Sequence, residues 1–420
     1  MSRAILKSLL LMTTLTACLG APSDEASAQG RRVEAERFPG ADLGAKINAA
    51  DQSLGSAPGE IVVRPGGRIT TQVVVSSGHT LRFMPGTYPT ATEGAPILLK
   101  SGATLTGTSR ENTVVMESTA PNQFTVVSAY EHARRNGAAD SDIVVRDIQI
   151  KGANSGFHSG PQAISMGNCS RCTVDNVWVN GTRSIGVQLG GGAMLGRFAL
   201  DSKIVNSLFT RVASQNIAVT NGRNILVEGN RILAPGQRGG PGASAIDLET
   251  NDAADHLQHI TVRNNHIDMR DSELDTAGNG IIVQSGSGTP HVGPILVEGN
   301  TLIGGYNEPN RVTSKMSNGI YVIGYTMKDV TVRNNTITRT GQAALNIEGS
   351  RIYVRNNRVT DAGGGGTAGF MIGSVGQSEF VDNEFVYSGH GPVDHTMHFR
   401  GLMNSVVVER NRGVVIKRGP

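Results

Sequence analysis

The chain has 420 residues, 38% of them hydrophobic and only 4% aromatic, with 54 glycines and a formal charge of +3. The glycines follow no Gly-X-Y period, which excludes a collagen-like chain, and no run of Lys and Arg marks a nucleic-acid surface. A length that ordinarily splits into two or three domains can stay single when the core grows along one axis, as in a repeat array.

Residues 1–28 read as an export signal rather than as part of the fold. Arg3 and Lys7 precede an apolar run from Leu9 to Ala21 that is too short for a membrane span. Two cleavage sites stay open. "LTAC", ending at Cys18, resembles a bacterial lipobox, in which the cysteine is lipidated and that anchor is the one link to a membrane. "ASA" before Gln29 resembles an ordinary small-residue site. Either way the expected destination is a bacterial periplasm, an outer membrane or the medium. Cleavage before Gln29 removes Arg3, Lys7, Asp24 and Glu25 and keeps +3, whereas cleavage before Cys18 removes only the two basic residues and leaves +1. That balance permits an anionic partner without requiring one.

Residues 29–420 read as one domain. Its first element is a short amphipathic helix within "ADLGAKINAADQSLG" (41–55), with Asp42 as N-cap, Leu43, Ile47 and Leu54 on one face, and Gly55 as the stop. Such a helix would cap the open end of a stacked core. From residue 145 onward a motif V-x-N-N-x-I recurs with drift. It starts at 145, 174, 204, 227, 262, 297, 332, 354, 380 and 408, so the spacings are 29, 30, 23, 35, 35, 35, 22, 26 and 28. Each copy alternates apolar and polar residues, the period of a strand with one buried face. Between copies lies a second strand with inward pairs Ile164/Met166, Ile185/Val187, Ile217/Val219, Ile246/Leu248, Ile281/Val283, Ile320/Val322, Leu345/Ile347, Phe370/Ile372 and Met397/Phe399.

No stretch holds a helical apolar period for long, so helical solenoids are disfavoured. Two or three short strands per repeat, stacked in register, make an all-β parallel β-helix, about a dozen coils and roughly 55–60 Å long at ~4.8 Å per coil. The Asn-Asn doublets then mark a corner. There an Asn tolerates left-handed backbone geometry and its amide can bond the Asn stacked on it in the next coil. Cys169 and Cys172 in "NCSRC" lack a second Cys pair to complete a zinc site, which leaves buried thiols or a strained local disulfide.

"EIVVRPGG" (60–67), "TLRFMPGTY" (80–88) and "ILLKSGATLTGTS" (97–109) resemble the first coils of the pectin-lyase-like superfamily, and the resemblance extends over about residues 38–415. It implies a right-handed coil and action on a polysaccharide. Known members include polygalacturonases, pectate and alginate lyases, uronan epimerases and viral tailspikes.

Residues between the inward pairs are expected to face solvent and to form one continuous sheet face. On it, "AIDLETND" (245–252) sets Asp247 and Glu249 two apart, both outward, with Cα atoms ~6.8 Å apart. Glycoside hydrolysis needs such a carboxyl pair, one donating a proton and one acting as base or nucleophile. Gln284 should neighbour Glu249, Tyr321 should lie two coils beyond Asp247, and Gln188, Asn346 and Glu348 belong to the same face. Extra residues in the 35-residue repeats cluster around the strands at 246, 281 and 320 and should build groove walls. "DHLQH" (Asp255, His256, His259) and a loop with Arg311 and Lys315 are expected to reach into that groove. Neither chemistry requires a cofactor, but Asp247, Glu249, Asp252 and Asp255 offer oxygen ligands suited to one Ca2+.

A second cluster, "SGHGPVDHTMHFRG" (388–401), gathers His390, Asp394, His395, His398 and Arg400. A uronate lyase or epimerase needs a base and a cation to neutralise the carboxylate, roles that suit His398 and Arg400. "GHG" at His390 is a fragment of the polygalacturonase signature. Its companion Asn-Thr-Asp, Asp-Asp and Arg-Ile-Lys elements are missing, as is the Asp-Pro-His element of mannuronan epimerases. A glycan-cleaving enzyme therefore leads, with the uronate enzyme and a non-catalytic glycan-binding or surface protein as alternatives. Replacing Asp247 or Glu249 is expected to spare the fold, since both are read as solvent-facing.

Overall fold

The computed structural model describes residues 30–419, apart from 93, 118–124, 136, 153–161, 192–197, 237–243, 273–277, 287–290, 306–314, 325, 364–366 and 390–392. Residues 1–28 with Cys18, read above as an export signal, and also Arg311 and His390, lie outside the described residues.

The capping helix forms over Leu43–Leu54, as its polar ends require. The Asp42 carboxylate accepts the N–H groups of Gly44 and Ala45 at 2.6 and 3.1 Å, and Gly55 ends the helix at φ +68°. Asp42 also accepts the Thr70 and Thr71 hydroxyls, both at 2.6 Å, which ties the cap to the first coil. Beneath the helix, buried Asp51 and His79 meet at 2.8 Å.

From there the chain winds in coils of three strands, and among the described residues every strand pairing between successive coils is parallel. One representative coil runs Ile246–Glu249, His256–Arg263 and His266–Asp268. The third strand of each coil joins an 11-stranded parallel face, and the first two join a larger 31-stranded sheet. The V-x-N-N-x-I copies stack without slippage: Val145, Val174, Ile204, Val227, Val262, Val297, Val332, Val354, Phe380 and Val408 are successive partners. Their side chains, with those of the inward pairs, fill one continuous apolar core.

The doublet corner divides its two tasks between neighbouring residues. The first position of the doublet is left-handed in every copy, from Asp147 at φ +55° through Asn264 (+55°) and Asn334 (+57°) to Arg410 (+52°), and glycine serves at Gly229 and Gly299. The second position turns inward. Asn230, Asn265, Asn300, Asn335, Asn357, Asn383 and Asn411 form a ladder in which each amide donates to the next amide oxygen at 2.9 or 3.0 Å. The same oxygen also accepts a backbone N–H from the preceding coil, for example Asn300 N to Asn335 Oδ1 at 2.9 Å. One polar side chain per coil thus satisfies the buried corner.

Eight of the nine inward pairs take the expected register. The exception is Ile185/Val187. Val187 and Leu189 are the residues level with Ile164 and Met166, so the pair lies two residues later and Ile185 is only half-buried. A shift of two keeps the same face inward. Gly186 takes the tight preceding position, where an added Cβ would lie 3.0 Å from the Phe209 ring and 2.4 Å from the Asn216 carbonyl oxygen. Cys169 and Cys172 are joined as a local disulfide, with Cα atoms 6.0 Å apart, and both are buried.

Candidate functional site

The strand Ile246–Glu249 places Asp247 between two inward residues, so its side chain rises from the outer face of the sheet. The expected neighbours are in place. Glu249 is level with Gln284, and Asp247 is level with Ile282, then Tyr321, then Asn346 in successive coils. On the other side Asp247 follows Ala218 and Gln188, and the Gln188 amide reaches the Thr220 hydroxyl at 3.5 Å. Glu348 lies against Gly373, where an added Cβ would be 2.5 Å from its Cγ.

Asp247 does not face solvent, contrary to the sequence reading. It is only 6% exposed, and its Oδ1 is buried without a hydrogen-bond partner among the described residues. Burial, with the charge of Glu249 adding to it, pushes its pKa up to about 7, against a smaller opposing pull from a Gln215 hydrogen bond. Glu249 is half-buried, and burial raises its pKa too. The two carboxyls therefore differ in kind: one sunk, with its pKa pushed up to about 7, the other half-exposed on the outer face. Burial, then the charge of Glu348, raises the Tyr321 phenol.

Gln215 is the residue that sequence reasoning missed. It sits two positions before the inward pair, in the same register as Ser244, Asn279 and Asn318, and Asn318 donates to Asn279 Oδ1 at 3.0 Å. Counting back two residues from the pairs at 217, 246, 281 and 320 would have exposed this polar column beside the carboxyls.

The flanking expectations fare less well. Asp255 is fully buried, and its Oδ2 accepts the N–H groups of Asn251 and Asp252, both at 2.8 Å, so it closes a turn. His256 opens the strand His256–Arg263 and His259 takes a left-handed corner at φ +54°, so "DHLQH" belongs to a stacked strand rather than to a groove loop. Among the described residues no three His, Cys, Asp or Glu side chains converge as a metal cage. Lys315 is held through its backbone N–H on Gly305 at 2.7 Å.

In the C-terminal cluster, the described residues pair locally rather than around one point. His398 Nε2 donates to the Gly419 carbonyl at 2.8 Å while Nδ1 accepts from Arg400 at 3.2 Å, so both ring nitrogens are engaged. The strand Val415–Arg418 lies alongside and sets Lys417 level with His398. Asp394 accepts the Thr396 N–H at 2.9 Å, and His395 packs on the Phe385 ring.

Several solved structures share this architecture. A mannuronan C-5 epimerase A-module of Azotobacter vinelandii superposes with a TM-score of 0.57 at 14% identity, over 92% of this chain and 99% of that one. The Streptococcus pneumoniae surface protein and adhesin PfbA gives 0.56 at 14% identity, over 93% and 100%. An exopolygalacturonase of Thermotoga maritima gives 0.54 at 12% identity, over 89% and 92%. At such identities the likeness is one of fold. No curated protein matches by sequence. A family model described as "Right handed beta helix region" matches residues 138–308 and 258–418. With the parallel coils and stacked registers above, the chain belongs to the right-handed β-helix family, of the pectin-lyase-like kind.

Proposed function

We infer that this protein is an exported glycan-cleaving enzyme that hydrolyses a glycosidic bond on the outer sheet face, with Asp247 as general acid and Glu249 as base or nucleophile. The observation that carries this is the contrast between the two carboxyls. Asp247 is buried, with its pKa pushed up to about 7, and it stands two residues from the more accessible Glu249. An acid that keeps its proton near neutrality beside an ionisable partner is what protonation of a leaving oxygen demands. The coil-to-coil alignment of Gln284, Tyr321 and Asn346 supplies polar and aromatic groups along the path a chain would follow. Fold neighbours named as an epimerase and an exopolygalacturonase add a polysaccharide context by analogy.

The uronate lyase or epimerase reading loses support, because a base whose two ring nitrogens are already engaged has none left for a C5 proton. Digestion of a glycan panel followed by mass spectrometry tests the proposal. Water-added products are expected, and Asp247→Asn and Glu249→Gln should each lower turnover by about 10²–10⁴-fold while substrate still binds. Unsaturated products, or wild-type turnover by both variants, would overturn it. No products at all would leave a binding or surface protein. Export through the N-terminal segment, with cleavage before Cys18 and lipidation of that cysteine or with cleavage before Gln29, is part of the same proposal.

A further inference from the structure

The geometry points to an uncharged glycan as the ligand of this face, a conclusion that rests on the assignment of Asp247 and Glu249 as its acid and base. The net charge of the chain permits an anionic substrate, but the local charge does not favour one. Between Ser165 and Gly373 the two outward columns carry the carboxyl groups of Asp247, Glu249 and Glu348 and, among the described residues, no Lys or Arg.

The first cation toward the C-terminal end of the face is Arg400, beside His398. Toward the N-terminal end it is Lys100, over the Tyr130 ring and two residues past Leu98, which is five coil steps from Asp247. Asp247 and His398 are separated by five coil steps, through Ile282, Tyr321, Asn346 and Met371. At ~4.8 Å per step this is about 24 Å, roughly three Debye lengths at physiological salt. Arg400 is also committed to His398. At about five coil steps neither Arg400 nor Lys100 neutralises a uronate held at Glu249. The segments before the three strands at 246, 281 and 320 add no net charge in sequence: Arg238, Arg270, Arg311 and Lys315 stand against Asp271, Glu273, Asp275 and Glu308.

What the face does offer suits hydroxyls and sugar ring faces. Gln188, Gln284 and Asn346 are amides that donate and accept at once, matching a hydroxyl that does both. Half-buried Tyr321 and Ile323 give an aromatic and apolar surface for C–H groups. A ligand that brought its own anion would also oppose ionisation of Glu249.

The test is calorimetric binding to the full-length Asp247→Asn protein, which blocks turnover. The probes are uncharged hexasaccharides (gluco-, xylo-, manno- and galacto-configured), hexagalacturonate, hexamannuronate and a glucosamine hexamer. At least one uncharged oligomer should bind, and both uronates should bind about tenfold more weakly than it or worse, a gap of ~1.4 kcal/mol. That gap should widen at low salt, where screening is lost. In the double variant Asp247→Asn/Glu249→Gln the uronates should recover affinity. Tightest binding by a uronate or by the glucosamine hexamer overturns the proposal, as does binding of none. Failure of the hydrolase reading looks different: an uncharged oligomer that binds yet yields no water-added product with the wild type.

Discussion

Adjacent asparagines in one doublet carry different physical burdens. Asn334 is exposed and sits at φ +57°, and among the described residues its side chain donates only to Glu298, at a long 3.3 Å. Asn335 is 1% exposed, donates to the Val297 carbonyl and to Asn357 Oδ1, both at 3.0 Å, and accepts from Asn300. Asn334→Ala should therefore cost about 1–2 kcal/mol for left-handed strain. Asn335→Ala should cost about 2–4 kcal/mol, since it orphans the Asn300 N–H and the Val297 carbonyl in the core. Denaturant unfolding of the two variants checks the order, and equal losses would mean that the ladder is not holding the corner. Asp247 poses the opposite case, a residue kept at a cost to stability. Its folded pKa of about 7 lies above the ordinary ~3.9, so the native state binds the proton more tightly. That contribution is complete below about pH 4 and is lost as pH rises through 7, a difference on the order of 4 kcal/mol. Asp247→Asn keeps a neutral group there. It should be more stable than wild type at pH 8, with the gap closing toward pH 4, while its activity falls. The wild-type rate should decline on the alkaline side near pH 7, and its acid limb, set by Glu249, should lie above the usual glutamate range. A denaturation gap that does not change with pH would contradict a protonated Asp247.

Each coil acts as an element that its neighbours complete. The strand Ile281–Gln284 is bonded on both edges, to Ile246–Glu249 and to Ile320–Ile323, and Ile281 is fully buried. Ile281→Asp puts a carboxylate into that stack with nothing to pair it, at a cost of several kcal/mol. Insoluble expression or a strongly lowered Tm is expected, and unchanged thermal unfolding would refute the register. The same packing explains the one misplaced pair. Ile185/Val187 reads as well as Val187/Leu189 in a one-dimensional pattern, because a slip of two residues preserves the face. Only the Phe209 ring and the Asn216 carbonyl, crowding Gly186, choose between them.

At the scale of the molecule, the β-helix is capped at its N-terminal end by the helix Leu43–Leu54, held by Asp42 on Thr70 and Thr71. The proposed lipid anchor at Cys18 would lie upstream of this capped end. If Cys18 is lipidated, Cys18→Ser should move the protein from the membrane fraction to the soluble one. Wild-type protein that never incorporates labelled fatty acid would favour cleavage before Gln29.

By itself the sequence determined the parallel β-helix, the capping helix, the doublet corner and the outward alignment of Asp247, Glu249, Gln284, Tyr321 and Asn346. These follow from the two-residue alternation of strands and from a repeat that counts coils, both of which survive in one dimension. The burial of Asp247, the role of Gln215, the use of Asp255 as a turn closure and the engagement of His398 by Gly419 were decided only by the tertiary structure. Each depends on which atoms from other coils exclude water from a side chain or reach it first. Burial and hydrogen-bond partnership belong to the stack, not to the strand.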